Sequence, residues 1–165
     1  MFERYTVDAE DVEAYARRCQ TGPCFICEIV AVNPDYEQHM VYEDEVTVAF
    51  LNKYPTLYGY TLVAPREHRE HATGDFELEE YLALQRVIHR VAEAVRQEVA
   101  AERVYILTLG SQQGNAHVHW HIAPLPPGVP YEEQQLAALS WERGILRLSA
   151  EEKASLAARI RRRMK

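Results

Sequence analysis

The chain has 165 residues, 47% hydrophobic and 26% charged, a composition that suits a globular protein with a core of its own. Its formal net charge of −7 argues against non-specific binding to DNA or RNA, which rests on neutralising phosphates, but leaves room for a small phosphate ligand in a locally positive pocket. No apolar run approaches the roughly 18 residues that span a bilayer, and Met1 to Gln20 lacks the apolar stretch of a secretory signal, so the expectation is a cytoplasmic protein with neither membrane nor nucleic-acid partners.

Asp8 to Cys19 begins acidic and ends at Arg17 and Arg18, the charge order a helix dipole favours, and predicts a short N-terminal helix stopped by Gly22 and Pro23. The cysteines are Cys19, Cys24 and Cys27. An odd count with Cys-x-x-Cys spacing points to thiols or a metal rather than a disulfide framework. His39 to Asn52 reads as two short strands around a Glu43-Asp44-Glu45 turn, with Val46, Val48 and Phe50 alternating with Thr47 and Ala49. Lys53 to Gly59 is a loop, and Tyr60 to Ala64 a strand halted by Pro65.

Phe76 to Ala100 carries the clearest helical signal. Asp75 is the expected N-cap, Glu77, Glu79 and Glu80 occupy the first turn, and Leu78, Tyr81, Leu82, Ile88, Val91, Ala92, Val95 and Val99 follow i, i+3, i+4 spacing. Arg103 to Gly110 returns as a strand and Ser111 to Ala116 as a loop. His117 to Ala123 is the last strand, ended by a proline cluster from Pro124. From Tyr131 the chain becomes helical and charged, with a helix start at Ser149, Glu151 and Glu152. Hairpins around one long helix predict an α+β fold: a mostly antiparallel sheet of about five strands, an N-terminal helical segment over 1–22, a central domain over 23–130 and a C-terminal helical extension over 131–165.

His117-Val118-His119-Trp120-His121-Ile122 is the sharpest feature. On a strand, Val118, Trp120 and Ile122 face one way. His117, His119 and His121 face the other, about 7 Å apart. Such a row suits phosphate chemistry: one neutral imidazole attacks phosphorus while its neighbours donate hydrogen bonds to the equatorial oxygens. The competing reading is a solvated strand face. Three of the chain's seven histidines at alternate positions argue against it. The Cys24 and Cys27 thiolates have spacing that lets both bind one tetrahedral ion, the alternative being two buried free thiols.

This strand resembles the His-x-His-x-His hallmark of the histidine-triad (HIT) family of nucleotide hydrolases and transferases. Cys24-Phe25-Ile26-Cys27-Glu28-Ile29 is similar to the opening of its zinc-containing members. Val41 to Glu45 followed by Ala49 to Asn52 resembles its first hairpin, and Pro55 through Gly59 to His68 its Pro-x-x-His segment. The similarity runs from about Cys24 to Leu125.

The resemblance implies a HIT-like fold and the following roles. His119 is the nucleophile, forming a nucleotidyl-histidine intermediate on the α-phosphate. His121 contacts phosphate oxygens and His117 supports the nucleophile. Asn52 binds ribose hydroxyls, while Gln113 and Asn115 lie near the leaving group. It also implies a structural zinc on Cys24, Cys27, His68 and His117, with His71 as an alternative third ligand, no metal at the reacting phosphate, and a homodimer. Retention of the third histidine favours hydrolysis of nucleoside phosphoramidates or (di)nucleoside polyphosphates over uridylyl transfer. Two departures stand out: Gly114 lies where many members have Ser or Thr, and Tyr60 replaces the usual histidine after Gly59. Two other functions compete with this one. In the first, the histidine row holds a catalytic zinc; in the second, the protein binds nucleotides without catalysis.

Overall fold

The computed structural model describes residues 3–6, 9–109 and 116–164. The elements in order are β1 (Arg4–Tyr5), α1 (Ala9–Thr21), α2 (Phe25–Val30), β2 (Met40–Glu43), β3 (Thr47–Leu51), β4 (Thr61–Pro65), α3 (Leu78–Glu98), β5 (Arg103–Leu107), β6 (Trp120–Leu125), α4 (Gln134–Leu139), β7 (Ile145–Leu146) and α5 (Ala150–Arg163). Five strands form one antiparallel sheet in the order β2-β3-β4-β6-β5. This is the α+β architecture expected. No helix among the described residues is long and apolar enough to cross a membrane.

The hairpin β2–β3 turns on Asp44, whose carboxylate accepts from the backbone N–H groups of Val46 and Thr47 at 2.9 and 2.7 Å. The alternation expected along β3 is absent from its burial: all five residues are buried. The reason is that both faces of the sheet are covered. Ala49, Leu51, Val63, Trp120 and Ile122 pack with α3 and α5 on one side. Val48, Phe50, Leu62, Ala64 and Ala123 pack with α2 and α4 on the other.

Helix α3 buries Leu84, Val87, Ile88, Val91, Ala92, Ala94 and Val95. It starts two residues later than expected, and Asp75 is not its cap. The Asp75 carboxylate instead accepts from the N–H groups of Glu70 and His71 at 2.8 and 2.9 Å, closing the preceding turn. Glu77 occupies the N-cap position and receives the Glu80 carboxylate on its own N–H at 3.0 Å. Pro65 lies inside β4 rather than beyond it, and Pro124 lies inside β6.

The C-terminal helix begins at Ser149 as its sequence predicts, with Ser149 Oγ accepting from Glu152 N. Leu156, Ala157, Ile160 and Met164 belong to the same core cluster as α3 and the sheet. Arg159 and Arg163 both pair with Glu98 near the end of α3, at 2.7 and 2.6 Å. Ile160 is 0% exposed. Ile160→Ala is therefore expected to cost about 2–4 kcal/mol in urea unfolding; a cost below about 0.5 kcal/mol, typical of surface changes, would mean that α5 is not part of the cooperative core.

The two ends of the chain also meet. β1 pairs with β7, and Tyr15 of α1 packs edge-on against Trp141 and Tyr54, with ring centroids 5.6 Å apart in both pairs.

Candidate functional site

Cys24 is the N-cap of α2, and its Sγ accepts from Cys27 N at 3.5 Å, so a single helical turn gathers both thiols. His117 Nδ1 lies 3.5 Å from Cys24 Sγ and 3.6 Å from Cys27 Sγ, and His68 Nδ1 lies 3.3 Å from Cys27 Sγ. All four donor atoms lie within 4.8 Å of one another. A tetrahedral zinc with Zn–S about 2.3 Å and Zn–N about 2.0 Å has S···N edges of about 3.5 Å, so these separations fit one ion.

The outer contacts fit as well. His117 Nε2–H donates to the Pro65 carbonyl at 2.8 Å, and His68 Nε2 lies 3.3 Å from Glu70 Oε1, so each ring turns Nδ1 toward the thiols. Burial, together with the neighbouring Cys24 thiol and Glu28, pushes the Cys27 thiol up to about 11; a divalent cation reverses that preference by stabilising thiolate. Four protein ligands leave no open position, which is the pattern of a structural site. His71, the alternative ligand, lies outside this group and faces Asp75 Oδ1 at 3.0 Å.

The histidine strand departs from its expected geometry. β6 begins at Trp120, so His117 and His119 precede it, and Val118 N donates to the Arg69 carbonyl at 2.7 Å. Val118, Trp120 and Ile122 are buried in the α3-facing core as alternation requires. The imidazoles do not form an even row. His117, 0% exposed, joins the thiols, whereas the rings of His119 and His121 lie 4.8 Å apart. The departure arises because the backbone leaves the ladder before Trp120, which frees the alternation from the strict spacing of a strand. The three rings therefore do not converge on one point as ligands of a catalytic zinc. Among the described residues, Cys24, Cys27, His68 and His117 are the only group of His, Cys, Asp or Glu side chains placed to hold an ion.

His119 Nδ1 lies 2.8 Å from the His117 carbonyl oxygen. A carbonyl only accepts, so Nδ1 carries the proton and Nε2 keeps its lone pair. Burial pushes His119 below its ordinary value, and burial with His119 alongside pushes His121 down to about 3. Both rings are thus neutral at pH 7.

Beside this pair lies a cavity of about 560 Å³, lined by Phe25, Tyr36, Phe50, Asn52, Tyr54 and Leu62 among others. It adjoins the histidines at two points. The Phe25 ring lies 6.1 Å from that of His119, and Leu62 pairs with His121 across β4 and β6. Asn52 follows β3; its N–H donates to the Tyr60 carbonyl at 2.8 Å and its Oδ1 accepts from Tyr54 N at 3.0 Å. Gln113, Gly114 and Asn115 lie outside the described residues.

Of the tyrosines between β3 and β4, Tyr54 lines this cavity. Tyr58 is instead bound to Glu152 and Arg159. Lys53 lines the cavity too, whereas Arg66 pairs with Glu43 and Arg69 with Glu67 and Glu80. Tyr15, Arg18 and Cys19 of α1 form a further wall that sequence reasoning missed, because no motif links α1 to the histidines. Glu70 was missed as well; its place two residues after His68 was the available signal.

Comparison with known proteins agrees with this fold. An uncharacterised HIT-like protein of Saccharolobus solfataricus is 34% identical over 108 residues, covering 61% of this chain and 73% of that protein. A hypothetical histidine triad nucleotide-binding protein of Sulfolobus tokodaii superposes with a TM-score of 0.68 at 27% identity, covering 86% of this chain and 91% of that one. A zinc-bound histidine triad family protein of Mycobacterium smegmatis superposes with a TM-score of 0.67 at 23% identity, covering 88% and 94%. Residues 33–127 match the HIT domain, and the chain belongs to the HIT domain family.

Proposed function

We propose that this protein hydrolyses a nucleotide derivative at its α-phosphate through a transient nucleotidyl adduct on His119. The observation that carries this reading is the contact between His119 Nδ1 and the His117 carbonyl, which leaves a neutral Nε2 lone pair on a ring that meets those of His121 and of the cavity residue Phe25. The base enters the cavity against Phe25 and Phe50, and Asn52 takes the ribose hydroxyls. His119 Nε2 forms a bond to phosphorus as the bond to the leaving group breaks, the electron pair departing with the leaving group. His121, with backbone amides near Gln113 to Asn115, donates to the phosphate oxygens where charge gathers. Water then cleaves the N–P bond, releasing a mononucleotide and free His119. No metal takes part at the phosphate. Nucleoside phosphoramidates and (di)nucleoside polyphosphates are the substrate classes. Acid-free quench of the full-length protein with an adenylated substrate, followed by peptide mass analysis, is expected to find the nucleotidyl group on His119.

Cys24, Cys27, His68 and His117 hold a structural zinc, a reading supported by the S···N separations and by the zinc-bound relative. A zinc held there would tie α2 to His117, whose carbonyl orients His119.

The protein is further proposed to be a homodimer through α3 and the edge strand β5. Leu78 and Leu82 on α3 are 67% and 46% exposed, and Ile106 of β5 and Leu109 just beyond it are 47% and 61% exposed. Among the described residues, β5 has an unpaired edge in the sheet order. Sedimentation equilibrium is expected to give twice the chain mass for the wild type and the chain mass for Ile106→Lys. A monomeric wild type would refute this assembly.

A further inference from the structure

Tyr60, the departure from the family pattern that the resemblance marks after Gly59, immediately precedes β4 and is 6% exposed. Its backbone is pinned on both sides: Tyr60 N donates to the Leu57 carbonyl at 3.2 Å, and its carbonyl accepts from Asn52 N at 2.8 Å. The preceding Gly59 has φ +88°, and a Cβ there would lie 2.8 Å from Val99 Cγ1, so the turn that aims the Tyr60 ring requires glycine. The Tyr60 hydroxyl oxygen lies 3.1 Å from His121 Nδ1, and the two rings meet edge-on with centroids 5.9 Å apart.

Burial pushes the Tyr60 phenol up to about 12. At neutral pH the contact therefore joins a protonated phenol to a neutral imidazole. Two arrangements are open to such a pair: O–H donating to Nδ1, or Nδ1–H donating to oxygen. A phenol is the stronger acid of the two and an unprotonated imidazole nitrogen the stronger base, so the first arrangement wins. The single ring proton of His121 then resides on Nε2.

We propose that Tyr60 is a positioning residue that holds His121 in its Nε2–H tautomer, so that a donor stands beside the lone pair on His119 Nε2. The inference rests on the hydrolase reading above and extends it. The two neighbouring imidazoles are held in opposite tautomers by two different partners, a carbonyl for His119 and a phenol for His121. The two nitrogens presented then act differently, the lone pair attacking phosphorus and the N–H binding a phosphate oxygen. With both rings presenting lone pairs, one would repel the oxygens it is meant to hold. A phenol fixes the tautomer without changing charge near neutral pH.

The test uses full-length protein labelled with ¹⁵N-histidine, read by long-range ¹H–¹⁵N correlation at neutral pH. The wild type is expected to carry the His121 proton on Nε2. In Tyr60→Phe, which keeps the ring and removes only the hydroxyl, part of the population is expected to move it to Nδ1. With an adenosine phosphoramidate as substrate, kcat is expected to fall about tenfold with KM within about twofold, less than the loss from removing a transition-state donor outright. Tyr60→His, which returns a hydrogen-bonding ring, is expected to recover part of both signals. A wild-type His121 protonated on Nδ1, a tautomer indifferent to Tyr60→Phe, or an unchanged kcat overturns the proposal. Should no nucleotide derivative turn over, the hydrolase reading fails, while the tautomer measurement in the free protein still decides what Tyr60 does to His121.

Discussion

Alanine in place of His119 is expected to lower kcat by at least about 10³-fold, since it deletes the atom that bonds to phosphorus. His121 cannot substitute, because its proposed role is to present a proton at the same face. Nucleotide affinity is expected to survive, since the cavity residues Phe25, Phe50 and Asn52 are untouched. Loss of the hydrogen bond to the His117 carbonyl costs about 1 kcal/mol and lowers Tm by about 2–4 °C, too little to unfold the protein. Steady-state turnover, calorimetric nucleotide binding and adduct analysis together decide the matter. Wild-type turnover by His119→Ala with no adduct on the native protein would sink the covalent mechanism. Nucleotide binding by both proteins with turnover by neither would establish a non-catalytic binder.

The second large effect concerns the cluster of thiols and imidazoles. Metal analysis of the native protein is expected to find one zinc per chain. Cys24→Ser and Cys27→Ser are each expected to lose it, whereas His119→Ala and His121→Ala keep it. The reverse pattern would revive a catalytic zinc on the histidines. Because the ion binds the folded site and not an equivalent site in the unfolded chain, saturation at about a hundredfold over its Kd contributes about 3 kcal/mol. Its loss is expected to lower Tm by about 6–12 °C in a chain of this size. Ile26 and Ile29 also hold α2 to the sheet by apolar burial, so the zinc-free variants should remain folded at room temperature. A cysteine variant with native zinc content and native Tm would refute the site.

Much of the scaffold was legible because local patterning and tertiary structure agree. The long helix follows its apolar spacing, and the β2–β3 turn sits where three acidic residues cluster. Ser149 caps α5 as its sequence suggests, and Val118, Trp120 and Ile122 point into the core. The errors fall where a local rule met a longer-range constraint. Asp75 looked like a helix cap but is taken up by the turn at Glu70 and His71. Val48 and Phe50 alternate with Thr47 and Ala49 along β3, yet helices on both sides of the sheet bury all of them. The pairing of β1 with β7 left no signal in two residues of each strand.

The sequence alone determined the chemistry on offer: three imidazoles at alternate positions, two thiols at metal spacing, and an α+β frame to carry them. Tertiary structure decided how that chemistry is divided. It turned His117 toward Cys24, Cys27 and His68, tied His119 Nδ1 to a carbonyl, and set the Tyr60 hydroxyl against His121. The physical reason is that periodicity reports which way a side chain leaves the backbone, whereas the proton on an imidazole follows the partner that reaches its other nitrogen. That partner comes from a distant part of the chain, brought there only by folding.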